Sequence, residues 1–267
     1  MLNMIRMNLY RFFTTKPVYV ILGITFLLIM FVTRLEMSDK KPVDAAVMEE
    51  YGDFEEQSIR GFGMTIPVTE ERAVIGDQLY KDAVCSGLLA VMIGIFVSIY
   101  TGKERERGFL KNLNTCVKNR YTIFLAKIVP MFLFVVFEML VTFIAIGCNL
   151  SYENLPQLLA FMLAQTATHT AYAAGILFVG ELLRNQAMTL LVAIFTALGV
   201  GSMILSLIES KLAQTGFPQG LLLGKYTAVM QINSIHGFQV IMFVAAVILA
   251  LLYLLAGAMV SEKRDLY

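Results

Sequence analysis

Apolar residues run for membrane-crossing lengths at six places in this chain, separated mostly by short polar stretches. The runs are approximately Val18–Val32, Ala83–Tyr100, Ile123–Cys148, Leu158–Val179, Ala187–Ile208 and Val240–Val260. About 20 apolar residues in a helix cross roughly 30 Å of hydrocarbon, so the pattern predicts six transmembrane helices. The fold class expected is an all-α integral membrane protein, a single transmembrane domain over residues 1–267. The first run is the shortest and follows Arg6, Arg11 and Lys16, as a secretory leader would. No small-residue cleavage site follows it, so it reads as a retained span with Pro17 in its first turn.

Ahead of that run, residues 1–16 have a different period. Leu2, Ile5, Leu9, Phe12 and Phe13 fall on one helical face, with Asn3, Arg6 and Arg11 away from it. This predicts an amphipathic helix in the inner membrane interface, its basic residues turned toward anionic lipid. An ordinary topogenic flank is the alternative.

The polar segments set an orientation. Residues 1–17 carry Arg6, Arg11 and Lys16, and residues 101–122 carry Lys103, Arg105, Arg107, Lys111, Lys118 and Arg120. The positive-inside rule places both in the cytoplasm, and six spans return the C-terminus to the same side. Residues 34–82 hold twelve acidic and six basic side chains, the main extracellular loop expected. Residues 209–237 are only partly polar, with Gly216-Phe217-Pro218 and Leu221-Leu222-Leu223-Gly224, and predict an outer segment of short broken helices dipping toward the membrane.

Composition agrees with the pattern. Hydrophobic residues make up 58% and charged residues 15%, the mean hydropathy is +0.71, and a soluble domain is excluded. Among three cysteines, Cys85 and Cys148 fall near outer span ends and Cys116 in the cytoplasm. Buried thiols are favoured over a bridge. Neither a zinc spacing nor an HExxH or GxSxG motif occurs, so no metal site, bound cofactor or enzyme activity is expected, and nothing points to nucleic acid. Gly220-Leu221-Leu222-Leu223-Gly224-Lys225-Tyr226 has the wrong spacing for a phosphate-binding loop and lacks its terminal Ser/Thr.

The most informative motif is the run Lys103-Glu104-Arg105-Glu106-Arg107-Gly108-Phe109-Leu110 between the second and third apolar segments. Its alternating charges can extend the second span beyond the membrane, with arginines near the negative end of the helix dipole and Gly108 as a stop. Phe109, Leu110 and Leu113 then form an apolar patch among Lys111, Asn112 and Asn114, the composition of a partner-facing surface. A solvated topogenic loop is the bland alternative.

At these residues the chain resembles the permeases of the type-2 ABC transporter superfamily. Glu104, Glu106, Arg107, Gly108, Leu110, Leu113, Arg120 and Lys127 match the acidic-basic-Glu-Arg-Gly signature, the leucine-bearing helix, the basic residue and the lysine entering the third span. Phe109 stands where a small hydroxyl residue is common, and Cys116 where a proline is frequent. The resemblance implies a half-transporter whose loop, including Arg105 and Phe109, docks on a separate ABC ATPase subunit that uses the ATP. It implies a dimer with a second permease copy or paralogue. The small size and single acidic outer loop look like permeases that expel antimicrobial peptides for self-protection, including those for lantibiotics or bacitracin, in the bacterial cell membrane. A membrane immunity or sensor protein that binds a ligand through residues 34–82 is an alternative. An ion-coupled carrier is another, though the sequence offers no clear pair of Gly/Pro-broken helices.

Two ionisable residues fall inside predicted spans. Glu138 is mid-span in the third, and His169 is mid-span in the fourth beside Gln165, Thr168 and Tyr172. Antiparallel neighbours can bring Glu138 and His169 together, either as a clamp between spans or as part of a water-accessible pathway. Ala167, Ala171 and Gly175, and Ala193, Ala197 and Gly201, recur every fourth residue and predict close helix packing within the chain rather than a dimer seam.

Overall fold

The structure is a computed structural model and describes residues 2–38, 59–61, 64–66, 76–106, 121–200, 203, 207–211, 227–232 and 239–263. The elements are α1 (Leu2–Thr14), α2 (Lys16–Ser38), β1 (Ile59–Gly61), β2 (Met64–Ile66), α3 (Gly76–Cys85), α4 (Leu88–Glu106), α5 (Tyr121–Ala126), α6 (Ile128–Gly147), α7 (Leu155–Leu183), α8 (Gln186–Ala197), α9 (Ala228–Ile232) and α10 (Val240–Lys263). The strands form one antiparallel hairpin with Ile59 opposite Ile66, a small exception to the all-α expectation where strand-favouring Ile and Thr residues cluster. Helix otherwise dominates the described residues.

Among the described residues, three helical stretches are long and apolar enough to cross a membrane: Lys16–Met37, Tyr121–Gly147 and Val240–Lys263. The bent pair α3–α4 makes a fourth. At 29 residues α7 has the length, but Gln165, Thr166, Thr168, His169 and Glu181 dilute its apolar character. With 12 residues, α8 is short of a full crossing.

Local chemistry explains where the helices differ from the apolar runs. The second run is not one helix, because Gly87 adopts φ +80° and the chain bends by 46° between α3 and α4. Ser86 organises the corner: its hydroxyl donates to the Ala83 carbonyl at 2.7 Å and accepts from Leu88 N–H at 3.3 Å. The helix of the fifth run is interrupted after Ala197, where Leu198 leads into Gly199 at φ +81°, and helical backbone returns at Val200. Between α5 and α6 the helix is interrupted at Lys127, since Pro130 has no N–H to offer the Ala126 carbonyl one turn back. Asn185 starts α8 by accepting from the N–H groups of Ala187 and Met188. The segment read as a loop from Arg34 to Asp82 begins and ends in helix, because α2 continues to Ser38 and α3 starts at Gly76.

Small residues close the packing of α4 on α8. A Cβ added at Gly94 would lie 2.8 Å from the Ala193 Cβ, and one at Gly87 would lie 2.8 Å from the Ala197 carbonyl oxygen. The expected stripes are thus internal seams: Ala171, Ala193 and Ala197 are buried, and Gly175 accepts the Tyr253 ring of α10. Gly201 lies outside the described residues, as do Cys116 and residues 212–226 with their glycine-rich stretch. Cys85 is buried, whereas Cys148 is exposed rather than buried as expected, and the two are not bridged.

The buried side chains divide into two main apolar clusters. One holds Ile21, Ile93, Phe96, Phe134, Val135, Ala171 and Tyr172, with Phe96 and Phe134 stacked at 3.9 Å. The other holds Ile29, Tyr80, Leu89, Met139, Leu158 and Phe161.

Candidate functional site

The boundary between these clusters is polar. On α2, Thr25 sits one turn from Ile21 of the first cluster and one turn from Ile29 of the second. On α6, Glu138 lies between Val135 and Met139. On α7 the order reverses, as it must in an antiparallel neighbour: Phe161 of the second cluster, then Gln165, Thr168 and His169, then Ala171 and Tyr172 of the first. Thr25, Glu138, Gln165, Thr168, His169 and Gln231 are all buried, so helices from distant parts of the chain contribute to one polar layer.

Hydrogen bonds within the layer differ from those expected. Glu138, at 0% exposure, accepts from the Thr25 hydroxyl of α2 at 3.3 Å and has no bond to His169. His169, also at 0%, holds its own helix instead, with Nδ1 donating to the Gln165 carbonyl at 2.8 Å. The clamp in the layer therefore joins the first and third apolar segments, not the third and fourth. Neighbours in sequence pack together without their polar side chains facing each other, and α6 lies against both α2 and α7. The Gln165 amide donates across to the Gln231 carbonyl at 3.4 Å and the Cys85 sulfur at 3.8 Å. Glu138 Oε2, Gln165 Oε1 and His169 Nε2 have no hydrogen-bond partner among the described residues.

A second constellation frames the charged motif of residues 101–122. Glu104, Arg105 and Glu106 lie in the last turn of α4, which is helical as far as Glu106. Arg107, Gly108, Phe109, Leu110, Leu113 and Arg120 lie outside the described residues. Helix α1 touches both ends of the segment. At one end the Tyr100 hydroxyl is 3.3 Å from the Asn8 carbonyl and side-chain oxygens, while Arg11 Nη2 donates to the Tyr100 carbonyl at 3.1 Å. At the other, Met4 packs on Ile123 and Ala126.

This corrects the expected orientation of α1. Its buried face is Met4, Asn8 and Phe12, while Leu2 is 80% exposed and Phe13 half exposed. At about 100° per residue the buried face lies about 90° around the helix from the apolar one. Of the apolar face, Leu2 and Phe13 stay exposed while Ile5 and Phe12 pack on the protein, and Arg11 belongs to the docked side.

The model of the family described as ABC-2 family transporter protein matches residues 14–201, from the end of α1 through α8. The chain belongs to this family. No curated protein shows significant similarity to it. ABC-2 proteins are membrane transport proteins, and the matched region contains the broken second segment, the motif of residues 101–122 and most of the polar layer. In this ABC-2 transporter protein, sequence reasoning found Glu138, Gln165 and His169 but missed Thr25, Asn8 and Tyr100. Tyr100 had a visible signal, an aromatic with a polar tip where the apolar run ends. Asn8 and Thr25 had none, because their partners come from 92 and 113 residues away.

Proposed function

We propose that this chain is the permease subunit of an ATP-driven exporter, a multi-pass protein of the bacterial cell membrane that couples to a separate ATPase through residues 101–122. Six crossings with both termini and that loop in the cytoplasm satisfy the charge pattern. The observation that carries the reading is α1 bridging the two ends of residues 101–122. A force applied to the loop by a docked ATPase then reaches α4 and α5 together instead of bending one helix alone. The working assembly is two permease copies, or this chain with a paralogue, and two ATPase subunits. The permease itself binds no cofactor and the partner uses ATP.

The substrate class that fits best is a cationic amphipathic peptide, expelled for self-protection. The acidic excess of residues 34–82 supports it by electrostatic complementarity, and the resemblance to antimicrobial-peptide exporters supports it by analogy.

Thiol labelling and copurification test the reading. Cysteines introduced at Ser58 and Gln214 are expected to react with an impermeant reagent outside intact cells, and one at Asn112 is not. An ATPase subunit is expected to copurify. Labelling of position 112 from outside inverts the topology and removes the docking role, and a chain that copurifies with no ATPase supports the immunity reading instead.

A further inference from the structure

Two helix breaks meet beside the polar layer. The position a Gly87 Cβ would take is 2.8 Å from the carbonyl oxygen of Ala197, and Gly87 and Gly199 both adopt left-handed φ values. Cys85, the last residue of α3 before the first break, contacts Gln165 through its sulfur. Broken helices next to buried polar groups are the form that solute sites take within membranes.

The open atoms here have one chemical character. A carbonyl only accepts, so the bond to the Gln165 carbonyl puts the His169 proton on Nδ1 and leaves a lone pair on Nε2. The Gln165 amide spends its N–H groups on Gln231 and Cys85, leaving Oε1 as an acceptor. Gln165 is 5% exposed and His169 0%, one helical turn apart, and neither open atom has a partner among the described residues. Glu138 lies on α6, which packs against α7, and its Oε2 also has no partner among the described residues. Two buried acceptors without donors, with a carboxyl group on the neighbouring helix, call for a ligand rich in N–H groups.

We propose that Gln165 and His169, at the junction of the α3–α4 and α8 breaks, form a subsite for a primary ammonium group carried by an amphipathic solute, with Glu138 as the nearby countercharge. The inference rests on the permease reading only in placing this subsite on a translocation path. The ammonium donates to His169 Nε2 and Gln165 Oε1, and its tail lies along the apolar clusters. A quaternary ammonium has the charge but no N–H, and an alcohol has a donor but no charge.

Cys85 is a built-in reporter. The full chain carrying Cys116→Ser and Cys148→Ser retains that thiol alone and is reconstituted in phosphatidylethanolamine–phosphatidylglycerol vesicles. N-ethylmaleimide is expected to alkylate Cys85, and decylammonium to slow the reaction about tenfold, while decyltrimethylammonium and decanol slow it less than about twofold. Gln165→Met with His169→Leu abolishes the discrimination, and His169→Asn, which keeps an acceptor, preserves part of it. An unreactive Cys85, or equal protection by the quaternary amine, overturns the subsite. Movement of decylammonium by the same vesicles with the ATPase subunit is scored separately. ATP-driven movement without protection rejects the subsite alone, and protection without ATP-driven movement rejects the exporter reading and leaves the subsite standing.

Discussion

Arg11 and Tyr100 are joined twice: the guanidinium donates to the Tyr100 carbonyl at 3.1 Å and its carbon lies 4.6 Å over the Tyr100 ring. The carbonyl bond uses a backbone group near the end of α4, and the ring contact adds a cation–π attraction. Together with Asn8 they make the α1–α4 contact polar and directional, whereas Met4 against α5 is purely apolar.

Tyr100→Phe removes the hydroxyl bond to Asn8 and keeps the ring, so it is expected to cost about 0.5–1.5 kcal/mol of stability and leave insertion intact. Arg11→Ala removes both contacts. Transport and ATPase stimulation of purified, correctly inserted protein are expected to fall further with Arg11→Ala than with Tyr100→Phe. Equal and unchanged coupling in both variants would reject the bridging role of α1.

At the charged motif, Glu106→Ala combined with Gly108→Leu changes the last residue of α4 and the glycine that the sequence offers as a helix stop. The protein is expected to insert normally while ATPase stimulation drops. Wild-type stimulation by correctly inserted protein rejects docking through this loop.

Glycine substitutions separate packing from backbone entropy. Gly94→Ala places a methyl against Ala193 and the Tyr172 hydroxyl, an overpacking expected to cost about 1–3 kcal/mol. Gly23 of α2 has nothing within 4 Å of its added Cβ, so Gly23→Ala is expected to be neutral or stabilising by up to about 1 kcal/mol. Thermal unfolding of the two variants in one detergent checks the order, and a Gly94→Ala protein as stable as the wild type contradicts the close α4–α8 seam.

The polar layer predicts which pairs couple. A double-mutant cycle of Thr25→Val with Glu138→Leu is expected to give an interaction of about 0.6 kcal/mol, typical of hydrogen bonds between membrane helices. The same cycle for Glu138→Leu with His169→Leu is expected near zero. A strong second coupling with no first one would restore the clamp expected from sequence.

Much of the helix order was legible because apolar length is a property of the chain alone. The corner at Ser86–Gly87 was not, since two small residues barely alter hydropathy while one positive φ redirects the helix. The site was legible residue by residue and illegible as a network. Glu138 and His169 stood out as ionisable side chains in apolar runs, but which group each would meet depended on helix rotation. Asn8 shows the same limit, for nothing in its sequence surroundings names Tyr100 as its partner.

The final helix, α10, lies mainly against α7, and its buried residues are Ala246 and Gly257. Every side chain of the polar layer precedes it in the chain. The described hydrogen bonds of the layer are therefore made without α10, which packs on α7 and adds Ala246 to the first apolar cluster. Loosening that contact, for example by Gly175→Leu against the Tyr253 ring, is accordingly expected to open the apolar packing before it disturbs the bonds at the centre.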